Sequence, residues 1–345
     1  MENTKRKIFT KPYIFALGLV IVLAIASVFT GAYDIFKEGN SIEMVFITRI
    51  PRTLALMLSA VAMSLSGIVM QLISQNKLVE PTTTGTIEWA GLGLVLVYIL
   101  IPKPSLLQRM TGAIIASFIG SMVFFYLLRN IKLKSSLFVP IVGIMLGAVV
   151  SAISTFIGLE FNMTQVIEVW FQGSFAPVQR GRYEYLFFII IITIVIYRYA
   201  DKLTIAGLGE DITTNLGLNY NQIILRANIL VALACGIVSA VIGNIPFLGL
   251  IVPNIVSIYR GDNLRENIPW ICLVSMMVML AADIISRTII APFELPVSLI
   301  LGSAGSIIFI IILLNMRRFK IWKVNLLLWV VLDQKKKKNH ILYVW

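Results

Sequence analysis

The stretch with the most informative chemistry runs from Arg49 to Gly93 and begins with two arginines, Arg49 and Arg52. An uncharged span follows, long enough to cross a bilayer, and the chain then enters a polar loop of Gln, Asn, Lys, Glu, Pro and Thr residues. Polar, non-helical backbone at membrane depth is tolerated only where protein buries it or where it lines a water-filled path. The pattern therefore predicts a transport pathway.

The polar loop supplies most of the candidate pathway residues. We expect its side chains, together with one asparagine further along the chain, to line the translocation path or to form an inner gate. These residues are Gln71, Asn76, Pro81, Thr82, Thr83, Thr84, Gly85 and Asn254. Each could instead satisfy buried backbone groups, and the sequence leaves both interpretations open. Gly173 and Ser174 are further candidates, for an outer mouth.

A second pair of interest is Asp283 and Arg287, four residues apart inside an apolar segment. Side chains at this spacing lie on one face of a helix. A charge at that depth is costly unless it is paired, so the spacing predicts an ion pair near the outer end of the helix. The pair could serve a function or could only stabilise the end of the helix.

The motifs of several enzyme classes are absent from the sequence. It contains no GxxxxGK[ST] loop for nucleotide phosphates, no HExxH and no GxSxG. Its one histidine, His340, lies close to the end of the chain. We therefore expect no catalytic residue, no metal site and no cofactor. An ion-coupled secondary transporter is a weaker alternative, because few ionisable residues fall near the middle of the apolar spans.

The composition sets the fold class. The chain has 345 residues, of which 58% are hydrophobic and 13% charged, with a mean hydropathy of +0.90. Soluble domains have about 25% charged residues. We predict an all-α membrane protein with ten spans. Their approximate ranges are 13–33, 52–74, 86–101, 110–128, 137–158, 184–200, 223–243, 247–259, 268–289 and 296–315.

The distribution of charge predicts the orientation. With the N-terminus in the cytoplasm, most of the 29 Lys and Arg residues fall in inside segments, as the positive-inside rule requires. The longest inside loop, between the spans 184–200 and 223–243, carries Gly209 and Gly217 on either side of a segment that could form one or two short helices. Such a segment is a natural contact for a cytoplasmic partner, although a solvated connector would have the same composition.

Five separated blocks, in order, carry a family resemblance. They are RIPRTLALMLSAVAMSLSGIVMQ, QNKLVEPTTTGT, LGEDITTNLGLN, GNIPFLGLIVPN and AADIISRTIIAPFELPVSLILG. Together they resemble the permease subunit of iron-siderophore ABC importers, the family that includes the vitamin B12 permease. The resemblance implies the ten-helix type II ABC importer fold in the cytoplasmic membrane of a bacterium. It also implies four kinds of partner: a second permease, identical or homologous, two cytoplasmic ATP-binding subunits, an extracytoplasmic binding protein, and a ferric siderophore as cargo.

The resemblance also assigns roles to residues. Gly209, Glu210, Asp211, Leu216 and Gly217 match the loop that couples the permease to the ATPase. The arginines that match those docking the binding protein are Arg49, Arg52 and Arg287. Arginines facing carboxylates accelerate and orient encounter more than they raise affinity, and added salt weakens them.

Several positions depart from the family pattern. Many members have Asn-Pro where this chain has Asn76 and Lys77, a His in place of Asn254, and a small pair in place of Glu88 and Trp89. These differences resemble the permeases of catecholate-type ferric siderophores. A haem or cobalamin-like chelate is the alternative cargo. We expect the permease domain to cover residues 1–318, followed by an atypical tail, 319–345, that a shifted reading frame or read-through would explain.

Overall fold

The structure is a computed structural model that describes residues 11–31, 41–131, 138–163, 165, 167, 170, 172–291 and 293–311. Within these ranges the regular secondary structure is helical throughout. The longer helices and one short helix, α7, are α1 Lys11–Phe29, α2 Ile50–Ile73, α3 Thr86–Leu100, α4 Leu106–Asn130, α5 Phe138–Glu160, α6 Phe188–Ala206, α7 Glu210–Asn215, α8 Tyr220–Val241, α9 Leu248–Arg260, α10 Leu264–Thr288 and α11 Val297–Ile311.

Six of the described segments are long and apolar enough to cross a membrane. They are Lys11–Phe29, Val45–Ile73, Leu106–Asn130, Phe138–Glu160, Tyr220–Val241 and Leu264–Thr288. The second of these joins α2 to a π-helical turn, Val45–Arg49, that precedes it. Helices α3, α9 and α11 are apolar but shorter. Each of the ten predicted spans corresponds to one of these helices or to α6, so the predicted all-α fold is confirmed.

The helix ends differ from the predicted ends where local capping decides them. Helix α4 begins at Leu106, four residues earlier than predicted, because Ser105 forms a capping box with Gln108. The 3₁₀ turn Tyr183–Phe187 delays the start of α6 to Phe188, and α6 then continues to Ala206. Neither the capping box nor the 3₁₀ turn can be predicted from the length of a hydrophobic segment alone.

Helix α2 is the centre of the bundle and packs against α6, α8, α9 and α10. Its contact with α9 depends on glycine. A Cβ atom on Gly67 would lie 1.9 Å from the carbonyl oxygen of Gly249, far inside van der Waals contact. Helices α1 and α5, in contrast, leave much of their apolar surface exposed. This distribution is typical of a membrane protein whose outer helices face lipid or a partner subunit.

The chain divides into two compact units, Met1–Gly302 and Ser303–Trp345. The first contains α1 to α10 and the start of α11. In the second, the described residues 303–311 are helical. The tail 319–345 lies outside the described residues, so its suggested origin stays a prediction.

Candidate functional site

The polar loop after α2 turns sharply back on itself. Gln75 adopts a left-handed conformation, with φ of 51°. The next residue holds the turn closed, because the backbone N–H of Asn76 donates to the Gln71 carbonyl at 3.0 Å. Its side-chain Oδ1 accepts from the N–H of Leu78 at 2.9 Å. Asn76 is therefore a buried turn-forming residue.

The three consecutive threonines form a 3₁₀ turn whose hydroxyl groups bond within the loop. The Thr83 hydroxyl donates to the Glu80 carbonyl at 3.0 Å and accepts from the Glu80 N–H at 2.9 Å. The Thr84 hydroxyl donates to the Pro81 carbonyl at 3.0 Å. Gly85 ends the turn with φ of 78°, a left-handed conformation that favours glycine. These bonds satisfy polar backbone that has left the helix.

Glu80 is the member of this loop whose importance the sequence did not indicate. Its carboxylate is buried at the start of α9, where Oε1 accepts from the backbone N–H of Phe247 at 3.0 Å and from the Thr82 hydroxyl at 2.5 Å. Burial raises the pKa of Glu80 to about 7, although the hydroxyl and the first amides of α9 act in the opposite direction. A carboxylate at a helix N-terminus is favoured by the unpaired amides there.

Two further side chains attach the loop and the end of α2 to α9. The amide Nδ2 of Asn254 donates to the Lys77 carbonyl in the loop and to the Leu250 carbonyl in its own helix, both at 2.7 Å. The Gln71 side chain donates to the Gly249 carbonyl at 3.3 Å. The structure thus brings the predicted pathway residues of the loop together with Asn254. Whether they line a path stays a prediction.

The unusual pair Glu88 and Trp89 occupies space that glycines provide. The Trp89 ring lies against Gly120 of α4, where a Cβ atom would come within 2.2 Å of it. The Glu88 carboxyl group faces Gly147 of α5. The bulkier pair on α3 therefore fits because the residues that face it on α4 and α5 are glycines.

The predicted coupling loop contains one short helix, α7. Gly217 ends it with φ of 76°, and the N–H groups of Gly217 and Leu218 donate to the carbonyls of Thr214 and Thr213 at 2.9 and 3.1 Å. This is the Schellman arrangement that favours glycine. At the other end, Gly209 has φ of 110°. The predicted bracketing of a short helix by two glycines is confirmed.

The exposed surface of α7 combines acidic and apolar side chains. Glu210 and Asp211 are exposed in its first turn, and Ile212 and Leu216 are 46% and 60% exposed. Glu210 also lies 3.5 Å from Arg129, at the end of α4. Apolar side chains in such a position are available to a partner subunit.

The coupling loop lies directly against the start of the polar loop. A Cβ atom on Gly209 would be 3.2 Å from Nε2 of Gln75, and one on Gly207 would be 2.8 Å from Cδ2 of Leu72. The turn at Gln75 therefore links α7 with the loop that Glu80 and Asn254 attach to α9.

At the opposite end of α2, Arg52 is held by two carboxylates. It donates to Asp283 Oδ1 from Nη2 at 2.9 Å and from Nε at 3.1 Å, and it donates from Nη1 to Glu294 at 2.7 Å. Asp283 also pairs with Arg287, as the i, i+4 spacing predicted. The predicted ion pair is thus confirmed, and it belongs to a larger network that includes α2.

Arg287 and Arg49 bind the C-terminal end of α1. Arg287 donates to the carbonyls of Thr30 and Ser27 at 2.5 and 3.0 Å, and Arg49 donates to those of Val28 and Phe29 at 3.1 and 3.2 Å. Cations stabilise the unpaired carbonyls at a helix C-terminus. The three arginines predicted to dock a partner therefore all have intramolecular contacts. Their docking role stays a prediction.

Gly173 and Ser174 lie beside a cavity at the same end of the bundle. The Ser174 N–H donates to the Ile242 carbonyl at 3.2 Å, and Gly173 packs against the backbone of Asn244. The cavity has a volume of about 400 Å³ and a mostly apolar lining that includes Ser174 and Arg182. Among the residues that the structure describes, no three His, Cys, Asp or Glu side chains form a group that could hold a metal ion.

The sequence matches the FecCD transport family over residues 14–315. It is 64% identical to a petrobactin import system permease protein of Bacillus anthracis, covering 90% of this chain and 93% of that protein. It is 41% identical to a petrobactin import system permease protein of Bacillus subtilis, covering 89% and 98%. The fold is similar to the solved structure of a metal-chelate type ABC transporter, with a TM-score of 0.77, 22% identity, and coverage of 89% of this chain and all of that one.

Proposed function

The chain belongs to the FecCD transport family and is a permease subunit of an ATP-binding-cassette importer, and we propose that its cargo is a ferric siderophore of the petrobactin type. The observation that carries this proposal is the 64% identity, over nine tenths of the chain, to a petrobactin import permease. The chain is a transport component and not an enzyme. ATP hydrolysis belongs to partner subunits.

The proposed assembly has two permease subunits, two cytoplasmic ATP-binding subunits and one extracytoplasmic binding protein. Membership of the family implies ATPase and binding-protein partners. The second permease would be another copy or a homologue. We further propose that the complex lies in the bacterial cytoplasmic membrane with the N-terminus of this chain inside, which the distribution of Lys and Arg supports.

ATP-driven movement would enter through α7. The exposed Ile212 and Leu216 supply apolar contact for the ATPase, and Gly209 lies against Gln75. A displacement of α7 therefore presses on the turn that begins the polar loop. Because Glu80 and Asn254 attach that loop to α9, loop and helix would move together. This path makes the loop an inner gate element driven from the coupling helix.

At the outer end, Arg49, Arg52 and Arg287 remain proposed docking residues for the binding protein. Their intramolecular contacts support a second, structural role, which is to hold neighbouring helices together. A carboxylate of the binding protein would have to compete with Glu294 for Arg52. Glu294 is one third exposed, whereas Asp283 is fully buried, so only Glu294 is open to exchange.

The test is uptake of radioactive iron as ferric petrobactin in a strain that lacks this gene. Restoration of uptake by the wild-type gene, with no restoration when the partner ATPase cannot hydrolyse ATP, would support the proposal. Uptake of haemin and of cobalamin is measured in the same strain. If either depends on the gene while ferric petrobactin uptake does not, the cargo assignment is wrong.

A further inference from the structure

A tight turn, Gln179–Arg182, projects two arginines from the outer end of the bundle. The Arg182 N–H closes the turn by donating to the Gln179 carbonyl at 3.1 Å, and Gly181 has φ of 93°. A type II turn requires such a positive φ at its third position. The sequence Gln-Arg-Gly-Arg therefore presents Arg180 and Arg182 on a short, defined scaffold, with both side chains exposed.

These two arginines differ from the other arginines at this end in their partners. Arg52 and Arg287 are mostly buried and paired with Asp283. Neither Arg180 nor Arg182 forms an ion pair with any carboxylate in the described ranges. The nearest acid in sequence, Glu184, accepts from the Gly181 N–H at 2.8 Å. The turn thus carries positive charge that the described part of the fold does not neutralise.

The turn lies beside the predicted docking arginines. The N–H of Arg180 donates to the carbonyl of Ile47 at 3.0 Å, within the same π-helical turn that contains Arg49. Arg182 also contributes to the lining of the outer cavity. Arg180 therefore adjoins the π-helical turn that contains Arg49, and Arg182 adjoins that cavity.

Tyrosines next to the turn place it at the aqueous boundary of the membrane. Tyr183 and Tyr185 follow it directly, and Phe187 and Phe188 are 41% and 52% exposed at the start of α6. Tyr and Trp side chains concentrate at the membrane–water interface. Because the turn precedes them on the chain entering the membrane, Arg180 and Arg182 lie on the aqueous side.

We propose that Arg180 and Arg182 also make direct electrostatic contact with acidic side chains of the extracytoplasmic binding protein. This inference rests on the proposed function, since it takes the binding protein as partner and this end of the bundle as outer. Exposed arginines facing carboxylates accelerate and orient encounter, and their effect weakens with salt. Arg180 and Arg182 thereby add to the docking surface proposed at Arg49, Arg52 and Arg287.

The test measures association of the purified binding protein with the complete importer in nanodiscs. The double variant Arg180→Glu/Arg182→Glu is compared with wild type and with Lys103→Glu, a charge reversal at an exposed lysine in another outer loop. We expect the double variant to lower the association rate about tenfold or more at low ionic strength, with a smaller difference at high salt. Lys103→Glu should change the rate less than twofold.

Three results would overturn the inference. One is a double variant that associates as fast as wild type. Another is an equal loss of association rate in Lys103→Glu, which would indicate that only the overall positive charge of the outer surface matters. The third is crosslinking to lipid and not to the binding protein from a photoreactive residue at position 182. Failure of the wild-type complex to bind the protein or to restore uptake would instead contradict the proposed function. An impermeant thiol reagent on Gln179→Cys in intact cells tests the orientation separately.

Discussion

Arg52 and Asp283 are 231 positions apart, yet two guanidinium nitrogens of Arg52 lie 2.9 and 3.1 Å from one carboxylate oxygen of Asp283. The other oxygen of Asp283 accepts from Arg287. One fully buried carboxylate on α10 therefore holds two cations, and Arg287 in turn binds the end of α1. The network joins three helices at the end of the bundle where the binding protein is proposed to dock.

Replacing Asp283 with Asn should destabilise the protein strongly. Two largely buried arginines would lose their shared anion, and removal of one partner of a buried pair typically costs about 3–5 kcal/mol. Thermal unfolding of the detergent-solubilised protein measures the effect. The control is Asp262→Asn at the exposed ion pair with Lys77, where we expect less than about 1 kcal/mol. Equal losses at the two positions would contradict the structural role of Asp283.

Gly67→Ala should separate α2 from α9. The added Cβ atom would lie 1.9 Å from the Gly249 carbonyl oxygen, a backbone atom that cannot rotate away. We expect a loss of about 1–3 kcal/mol, typical of overpacking, together with reduced uptake. Gly18→Ala in α1 is the matched control, because no heavy atom lies within 4 Å of its Cβ position. A Gly67→Ala protein as stable as the control would disprove the close approach.

Glu80→Gln should change how stability depends on pH. The pKa of Glu80 is raised in the folded protein from 4.5 to about 7, so the folded state binds a proton more readily than the unfolded state. The associated stability is fully present below pH 4.5 and is lost as the pH rises through about 7.

Between these pH values the wild type should lose up to about 1.4 kcal/mol per pH unit through this one group, and the variant should lack that slope. The difference between their unfolding free energies across the range measures it. Glu160→Gln, at an exposed glutamate, is the matched control. Parallel pH profiles for wild type and Glu80→Gln would argue against a raised pKa at Glu80.

Ile212→Ser should weaken the contact of α7 with the ATPase without unfolding the permease. Ile212 is 46% exposed, so its truncation costs the isolated permease little, whereas a partner subunit would lose apolar contact. We expect a severalfold drop in the ATPase that copurifies with the permease, at an unchanged unfolding temperature. Ile258→Ser provides the comparison at an isoleucine of α9 that is 60% exposed. If it releases the ATPase equally, α7 is not the coupling site.

The sequence alone determined the features that depend on local spacing. Hydrophobic length predicted the ten spans, because a helix must satisfy its own backbone wherever it crosses lipid. Gly209 and Gly217 predicted the short helix α7, since ends with positive φ favour glycine. The spacing of Asp283 and Arg287 predicted their ion pair, because residues four positions apart lie on one helix face.

Only the tertiary structure decided which distant groups meet. In the sequence, Glu80 is one charged residue in a polar loop. In the folded chain it lies at the N-terminus of α9 and accepts from the backbone N–H of Phe247, which is 167 positions away. Nothing in the sequence indicated that Arg52 contacts Asp283. A side chain's type fixes the charge and the hydrogen bonds it can offer, but the packing of α2 against α9 and α10 selects the partner. That selection made Glu80 a helix cap and Arg52 part of a buried network.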